Sequence, residues 1–131
     1  MSTTGTQRVL GQGQVAFDVP AEPSSLRLLR LGVADRAAAM GLGTEAIERA
    51  RVVVDELAAV LLTAAPTTRL HVVMSVDGGR LQLDGAVDHR GPVPQVDQVV
   101  RELMDLCVGP EGWDVQVGGG RLTFSASIAA R

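Results

Sequence analysis

The sequence predicts a two-layer α/β sandwich, in which a mixed but largely antiparallel sheet carries helices on one face. Nearly every apparent strand alternates apolar with polar residues, which is typical of a sheet that has one buried face and one wet face. Each apparent helix has a single apolar stripe, so three such helices can cover the buried face. The elements follow one another in the order β-α-α-β-β-α-β-β.

The chain begins with a segment that has no apolar period. Residues 1–12 are rich in Thr, Gly and Gln, and we expect a flexible leader there, followed by a single domain over residues 13–131. Apolar residues then occupy every second position from Val15 to Val19. This alternation predicts the first strand, which two prolines end.

Two helices follow the first strand. Ser24 is a good N-cap for the first helix, and Gly41 is a typical residue to end it. Thr44 is a good N-cap for the second helix, which Pro66 ends. The residues expected on the apolar face of the first helix are Leu26, Leu29, Val33, Ala37 and Met40.

Two hairpins and a third helix complete the predicted domain. Alternating runs flank Asp77-Gly78-Gly79 and Gly118-Gly119-Gly120, and each pair of runs predicts a hairpin. Between the hairpins we expect a loop over residues 88–94 and an amphipathic helix from about Gln95. The residues expected to face the core from this helix are Val96, Val99, Val100, Leu103 and Cys107.

Composition argues against several classes of function. Aromatic residues make up 2% of the chain and the net charge is -3 without a basic block, so we expect no nucleic-acid partner. The longest apolar stretch, Leu57–Ala65, is far shorter than the roughly 20 residues of a membrane helix, so we expect no membrane partner. A single cysteine and the lack of a signal-peptide pattern favour the cytoplasm.

Common catalytic and metal-binding motifs are missing from the sequence. The chain has no lysine and therefore no P-loop, and its glycine triplet precedes a strand rather than a helix. Two histidines and one cysteine at unrelated positions do not make a zinc site. We expect Cys107 to pack in the core and His71 to lie on the wet face of its strand.

Glu56 is the most informative single residue. It lies in the middle of the second helix, with Val52, Val53 and Val60 as its neighbours on the same side. A carboxylate among valines lies either at the edge of the apolar stripe, where it reaches water, or in a cleft. The second placement would indicate a functional group.

The element order and the segment Val53-Val54-Asp55-Glu56-Leu57-Ala58-Ala59-Val60 resemble the histidine-kinase-like ATPase domain, also called the GHKL or Bergerat fold. Within that family the chain is similar to the small anti-sigma-factor serine kinases of bacteria. The resemblance covers about Val15 to Ala129. It implies that Glu56 occupies the N-box position, where the glutamate of the family acts as a general base.

The chain departs from this family at the residues that bind ATP. Four residues after the N-box glutamate, the magnesium-binding asparagine of the family is replaced by Val60, which offers no oxygen to Mg²⁺. The resemblance makes Asp88 a candidate for the aspartate that binds adenine and Gly91 a candidate for the first glycine of the same motif. That glycine follows three residues on rather than two, and Pro92 or Val93 replaces the second glycine. The glycine-rich ATP lid is almost entirely missing, so we expect neither turnover nor a cofactor.

The resemblance therefore predicts a regulatory protein-binding module that has lost ATP binding. Its expected partners are a sigma factor, an anti-sigma antagonist or a second copy of the chain. The alternative is an active serine/threonine protein kinase that uses ATP with Mg²⁺, with Glu56 as the base and Asp88 on the adenine. A third possibility is an unrelated function on the same sandwich.

Some charged residues are candidates for supporting roles. Arg27, Arg30 and Arg36 of the first helix either face an acidic partner or are ordinary solvated residues. If Glu56 faces a cleft, His89 or Arg90 is a candidate to pair with it there.

Overall fold

The computed structural model describes residues 5–11, 13–64, 69–89 and 91–130, which form six strands and three helices. In chain order these elements are β1 (Thr6–Gly11), β2 (Gln14–Pro20), α1 (Ser25–Ala39), α2 (Thr44–Ala64), β3 (Arg69–Asp77), β4 (Arg80–Asp88), α3 (Gln98–Val108), β5 (Trp113–Gly118) and β6 (Arg121–Ala129). The predicted α/β sandwich is confirmed, with one strand more than the sequence predicts.

The strands form a single sheet in the order β1-β2-β3-β4-β6-β5. Every pair of neighbouring strands in the described chain is antiparallel. The sheet is therefore antiparallel, whereas the sequence predicts a mixed but largely antiparallel one. The two predicted hairpins are β3–β4 and β5–β6. Their turns, Gly78-Gly79 and Gly119-Gly120, have positive φ at both residues, which is the type I′ geometry that matches the twist of paired strands.

The additional strand lies where the sequence analysis expects a flexible leader. Residues Thr6–Gly11 form β1, which pairs with β2 from Thr6 opposite Asp18 to Val9 opposite Val15. Backbone hydrogen bonds to β2 stabilise this strand, although its sequence TQRVLG lacks a clear apolar alternation. Residues 1–4 and 12, also part of the expected leader, lie outside the described residues.

One face of the sheet carries the hydrophobic core, as the alternation predicts. The register places Val15, Met74, Leu83, Ala126 and Trp113 side by side across five strands. The first four side chains of this row are buried, and Trp113 is half-buried near the edge of the sheet. The three helices cover this face, and the other face is left uncovered.

Helix α1 packs tightly on the sheet. A side chain at Gly32 would bring its Cβ to 2.7 Å from the Phe17 ring, which explains why a glycine occupies the interior of the helix. Ser24 holds the N-cap position without a capping hydrogen bond, since its backbone is already helical with φ -62° and ψ -22°. Its hydroxyl donates to Glu22. Gly41, with a φ of +85°, follows the end of the helix as predicted.

Helix α3 begins three residues later than the sequence predicts. Asp97 is its N-cap, and the side chain of Asp97 accepts a 2.8 Å hydrogen bond from the backbone N–H of Val99. Val99 is 70% exposed, so the expectation that it faces the core is wrong. The side chain that this helix buries completely is Met104.

The helices of the described residues include none that is long and apolar enough to cross a membrane.

Candidate functional site

The orientation of Glu56 follows from its position on α2. Seven residues before it, Arg49 lies close enough to Cys107 of α3 for its charge to act on the thiol. Seven residues are nearly two helical turns, so Glu56 and Arg49 share the edge of α2 that faces α3. Arg49 is near the start of α2 and Cys107 near the end of α3.

Glu56 is half-buried at this edge, and it forms no hydrogen bond or ion pair with another described residue. The preceding residue, Asp55, instead accepts a 3.0 Å hydrogen bond from Arg30 of α1. The two neighbouring carboxylates project from α2 about 100° apart. Asp55 joins α2 to α1, whereas Glu56 lies on the α3 side without a partner among the described residues.

Asp88 lies on the other side of the sheet from Glu56. The buried positions of β4 are Leu81, Leu83, Gly85 and Val87, all of which face the helices. Alternation places the exposed Asp88 on the opposite face, across the ladder from Arg121 of β6. The structure thus does not bring Asp88 and Glu56 together in one cleft.

His89 follows the last residue of β4, and the alternation of that strand places its side chain on the side of the sheet that faces the helices. The residue is half-buried. Its backbone N–H donates to the carbonyl of Gly120 at 2.9 Å, and its Nε2 lies 3.0 Å from the carbonyl oxygen of Pro92. Gly91 follows with a φ of +124°, a conformation that favours glycine. If the Asp-x-Gly-x-Gly motif is aligned with His89 at the aspartate position, Gly91 falls at its first glycine. The alternation of β4, which places His89 on the side of the helices, could have indicated this alignment. Arg90 lies outside the described residues.

The residues that follow Gly91 offer little to an anion. Pro92 and Pro94 have no backbone N–H to donate, and Val93 is 48% exposed. The N-terminus of α3 would be the natural anion site beyond them. That end carries the carboxylate of Asp97, which already accepts the N–H of Val99. The negative charge of Asp97 opposes phosphate at this position.

The position on α2 that corresponds to the magnesium ligand of the family offers no side-chain oxygen either. Val60 is half-buried on α2, and the nearest hydroxyl along the helix, Thr63, donates to the Val60 carbonyl at 2.8 Å. Within residues 5–11, 13–64, 69–89 and 91–130, no three His, Cys, Asp or Glu side chains cluster as metal ligands. The residues present therefore do not fit a magnesium-bound triphosphate.

Cys107 is a packing residue in this arrangement. It is half-buried and contacts the core from α3. Burial raises the pKa of its thiol, and the charge of Arg49 acts in the opposite direction. The thiol is therefore mainly protonated at neutral pH, which disfavours a nucleophilic role.

The three arginines of α1 do not form one common face. Arg27 is exposed, Arg30 is tied to Asp55, and Arg36 lies nine residues after Arg27, on the opposite side of the helix. The Nε of Arg36 is buried without a hydrogen-bond partner in the described structure. Arg27 alone remains exposed and without a partner among the described residues.

Comparisons with known proteins support the fold. No protein-family model and no curated protein matches the chain. Among solved structures that match is the crystal structure of the RsbU and RsbW domains of Rv1364c from Mycobacterium tuberculosis. It has a TM-score of 0.67 and 15% sequence identity over 87% of this chain, which spans 32% of that one. This likeness confirms the two-layer α/β fold that the sequence predicts.

Proposed function

We propose that this chain is a regulatory protein-binding module with the fold of an anti-sigma-factor kinase, and that it acts through protein contacts without turning over ATP. Val60 is the observation that carries this proposal. It occupies the position where the family uses an oxygen ligand for Mg²⁺, and a valine side chain cannot bind that ion. Without the metal, a bound triphosphate would lack the ion that normally neutralises part of its charge.

The charge at the start of α3 supports the same proposal. Asp97 caps the helix and directs a carboxylate to the region where a phosphate would bind. The two prolines before it remove backbone N–H groups that could hold phosphate oxygens. Each of these features weakens triphosphate binding independently of Val60.

The proposed partner is a sigma factor or an anti-sigma antagonist, as the resemblance implies. A contact surface for such a partner does not need the nucleotide site, so protein binding can persist after ATP binding is lost. A homodimer is a further proposal. Sedimentation velocity over a hundredfold range of protein concentration would detect it.

A thermal-shift titration with ATP, ADP and Mg²⁺ tests the loss of nucleotide binding. A ligand at about 100 times its dissociation constant stabilises a protein by about 2.7 kcal/mol. For a domain of this size, the melting temperature would rise by about 10 °C. We expect no shift at millimolar nucleotide, because neither the metal nor the phosphates have ligands.

A Val60→Asn variant is the matched control for this titration. It restores the amide that the family uses while leaving Asp97 and the prolines in place. We expect nucleotide to leave the melting temperature of this variant unchanged, because Asp97 and the two prolines still oppose ATP binding. A clear shift in the native chain would overturn the proposal.

An active kinase remains the second candidate because of Glu56. This carboxylate is half-buried, has no partner among the described residues, and faces α3 from the N-box position. Transfer of the γ-phosphate of ATP to a serine or threonine hydroxyl of an added anti-sigma antagonist, by the native chain but not by a Glu56→Gln variant, would favour this candidate. Equal background transfer with both proteins would remove it.

A further inference from the structure

Helix α1 has an outer face that points away from the sheet. Its residues are Arg27, Leu28, Leu31, Ala34 and Asp35. Leu28 is 48% exposed and Leu31 is 51% exposed. Because these leucines are three residues apart, they are neighbours on the helix surface. They therefore form one exposed apolar patch, which is more informative about binding than a single exposed side chain.

Two opposite charges flank Leu31 on the outer face. Arg27 lies four residues before Leu31 and Asp35 four residues after it, so the three side chains follow one line along the helix, with about 6 Å between successive residues. Both charged residues are exposed. Neither forms a hydrogen bond or an ion pair with another described residue. The two charges are about 12 Å apart along the helix axis, and they do not pair with each other.

The spacing of these residues is symmetric about Leu31. If two α1 helices pack antiparallel with Leu31 opposite its own copy, a residue before Leu31 lies level with the residue that is equally far after it on the other helix. Arg27 of each copy is then level with Asp35 of the other, which allows two ion pairs. Leu28 is likewise level with Ala34, so a large side chain meets a small one.

The charges of the outer face favour a second copy over a different partner. The face carries one positive charge at Arg27 and one negative charge at Asp35. A partner helix with charges of one sign would meet one of these residues with a like charge, which is unfavourable. A second copy supplies the opposite charge at both positions.

We propose that the outer face of α1 binds the same face of a second copy, as an antiparallel pair with a twofold axis at Leu31. Both copies bury the same leucines in this contact, and each Arg27 meets the Asp35 of the other copy. One helix pair is a small interface, so the dimer is weak and depends on protein concentration. The assignment rests on the homodimer in the proposed function, and it names the surface that forms it.

The test measures self-association of the native full chain by NMR. Translational diffusion and the backbone chemical shifts of the ¹⁵N-labelled chain are recorded up to about 1 mM, where a dimer with a millimolar dissociation constant is half formed. We expect slower diffusion at high concentration, together with shift changes centred on α1. Diffusion that does not depend on concentration would overturn the proposal. Shift changes centred on α3 or on the uncovered face of the sheet would also overturn it.

A leucine variant with a matched control tests the apolar contact. Leu31→Lys places two like charges beside each other at the twofold axis, so the dissociation constant of the dimer should rise about tenfold or more. Leu106→Lys is the control, because Leu106 of α3 is 83% exposed and lies outside the proposed contact. It should leave the dissociation constant unchanged. Equal weakening by the two variants would contradict the contact at α1.

Two charge reversals test the pairing of the charges. Arg27→Asp gives an outer face with two negative charges and Asp35→Arg gives one with two positive charges, so each variant alone should associate about tenfold less tightly than the native chain. Both positions are exposed, so neither change removes a core contact. When the two variants are mixed in equal amounts, every negative residue lies level with a positive one, and association should return.

The mixture is followed with one variant labelled with ¹⁵N and the other unlabelled. Shift changes on α1 of the labelled variant should appear when the unlabelled one is added. A mixture that associates no better than either variant alone would overturn the proposal, even if each variant by itself is weakened.

The outcome separates this proposal from the proposed function. Nucleotide binding in the thermal-shift titration would overturn the proposed function whatever the association state of the chain. Absence of self-association would remove the α1 contact and the homodimer, whereas binding of a different partner protein would still stand. Self-association through another surface would remove the α1 contact alone.

Discussion

The two sides of α2 differ in the contacts that their carboxylates make. On the α1 side, Arg30 and Asp55 join the helices at 3.0 Å above a buried layer that includes Leu29. On the α3 side, Glu56 has no partner among the described residues, and Leu106 remains 83% exposed. The first side completes the fold by itself, whereas the second presents apolar surface and charge to the surroundings.

The largest expected contrast is between two leucines. Leu29→Ala should lower the free energy of unfolding by about 2–5 kcal/mol, because the side chain is 1% exposed and its loss leaves a cavity. Leu106→Ala should change it by no more than about 0.5 kcal/mol, because its side chain is already in water. Urea unfolding of both variants measures the difference. A loss above 2 kcal/mol for Leu106→Ala would mean that this side chain is packed against the protein in solution and is not exposed.

Two helix N-termini give a smaller contrast. Asp97→Ala should destabilise the protein by about 1 kcal/mol, because Asp97 accepts the N–H of Val99. Ser24→Ala at the start of α1 should be nearly neutral, because Ser24 makes no capping bond. Thermal unfolding of the two variants and the native chain would measure both effects. Equal losses would show that the cap geometry does not distinguish the two helices.

The sheet layer and its buried face were predictable from the sequence. The alternation of apolar and polar residues indicates which face of each strand is buried, and the glycine turns indicate where each hairpin reverses direction. Strand β1 was not predicted, because its stability depends on hydrogen bonds to β2 and not on its own pattern. Val99 was misplaced because α3 carries apolar residues on more than one side. Val99 lies about 140° around the helix from Met104, and Met104 is the side chain that α3 buries completely.

The candidate site was predictable only in part. Valines around Glu56 indicated a carboxylate at the edge of the apolar stripe, and the structure places it at the edge that faces α3. Asp88 was chosen by residue type, whereas the alternation of β4 places it on the uncovered face and His89 on the helix side. The contact between α2 and α3 was not predictable, because it depends on how two helices distant in sequence pack together.

The smallest expected effect concerns the contact that closes the α1 side. The Arg30–Asp55 pair is about one third exposed, with relative side-chain areas of 37% and 30%, so solvent screens it. A double-mutant cycle with Arg30→Ala and Asp55→Ala should give a coupling energy of about 0.2–1 kcal/mol. The coupling should fall in 1 M NaCl, where the screening length is about 3 Å. A coupling that salt does not change would indicate a packing contact rather than an ion pair. The closure of the α1 side would then depend on the buried layer beneath the pair, which includes Leu29.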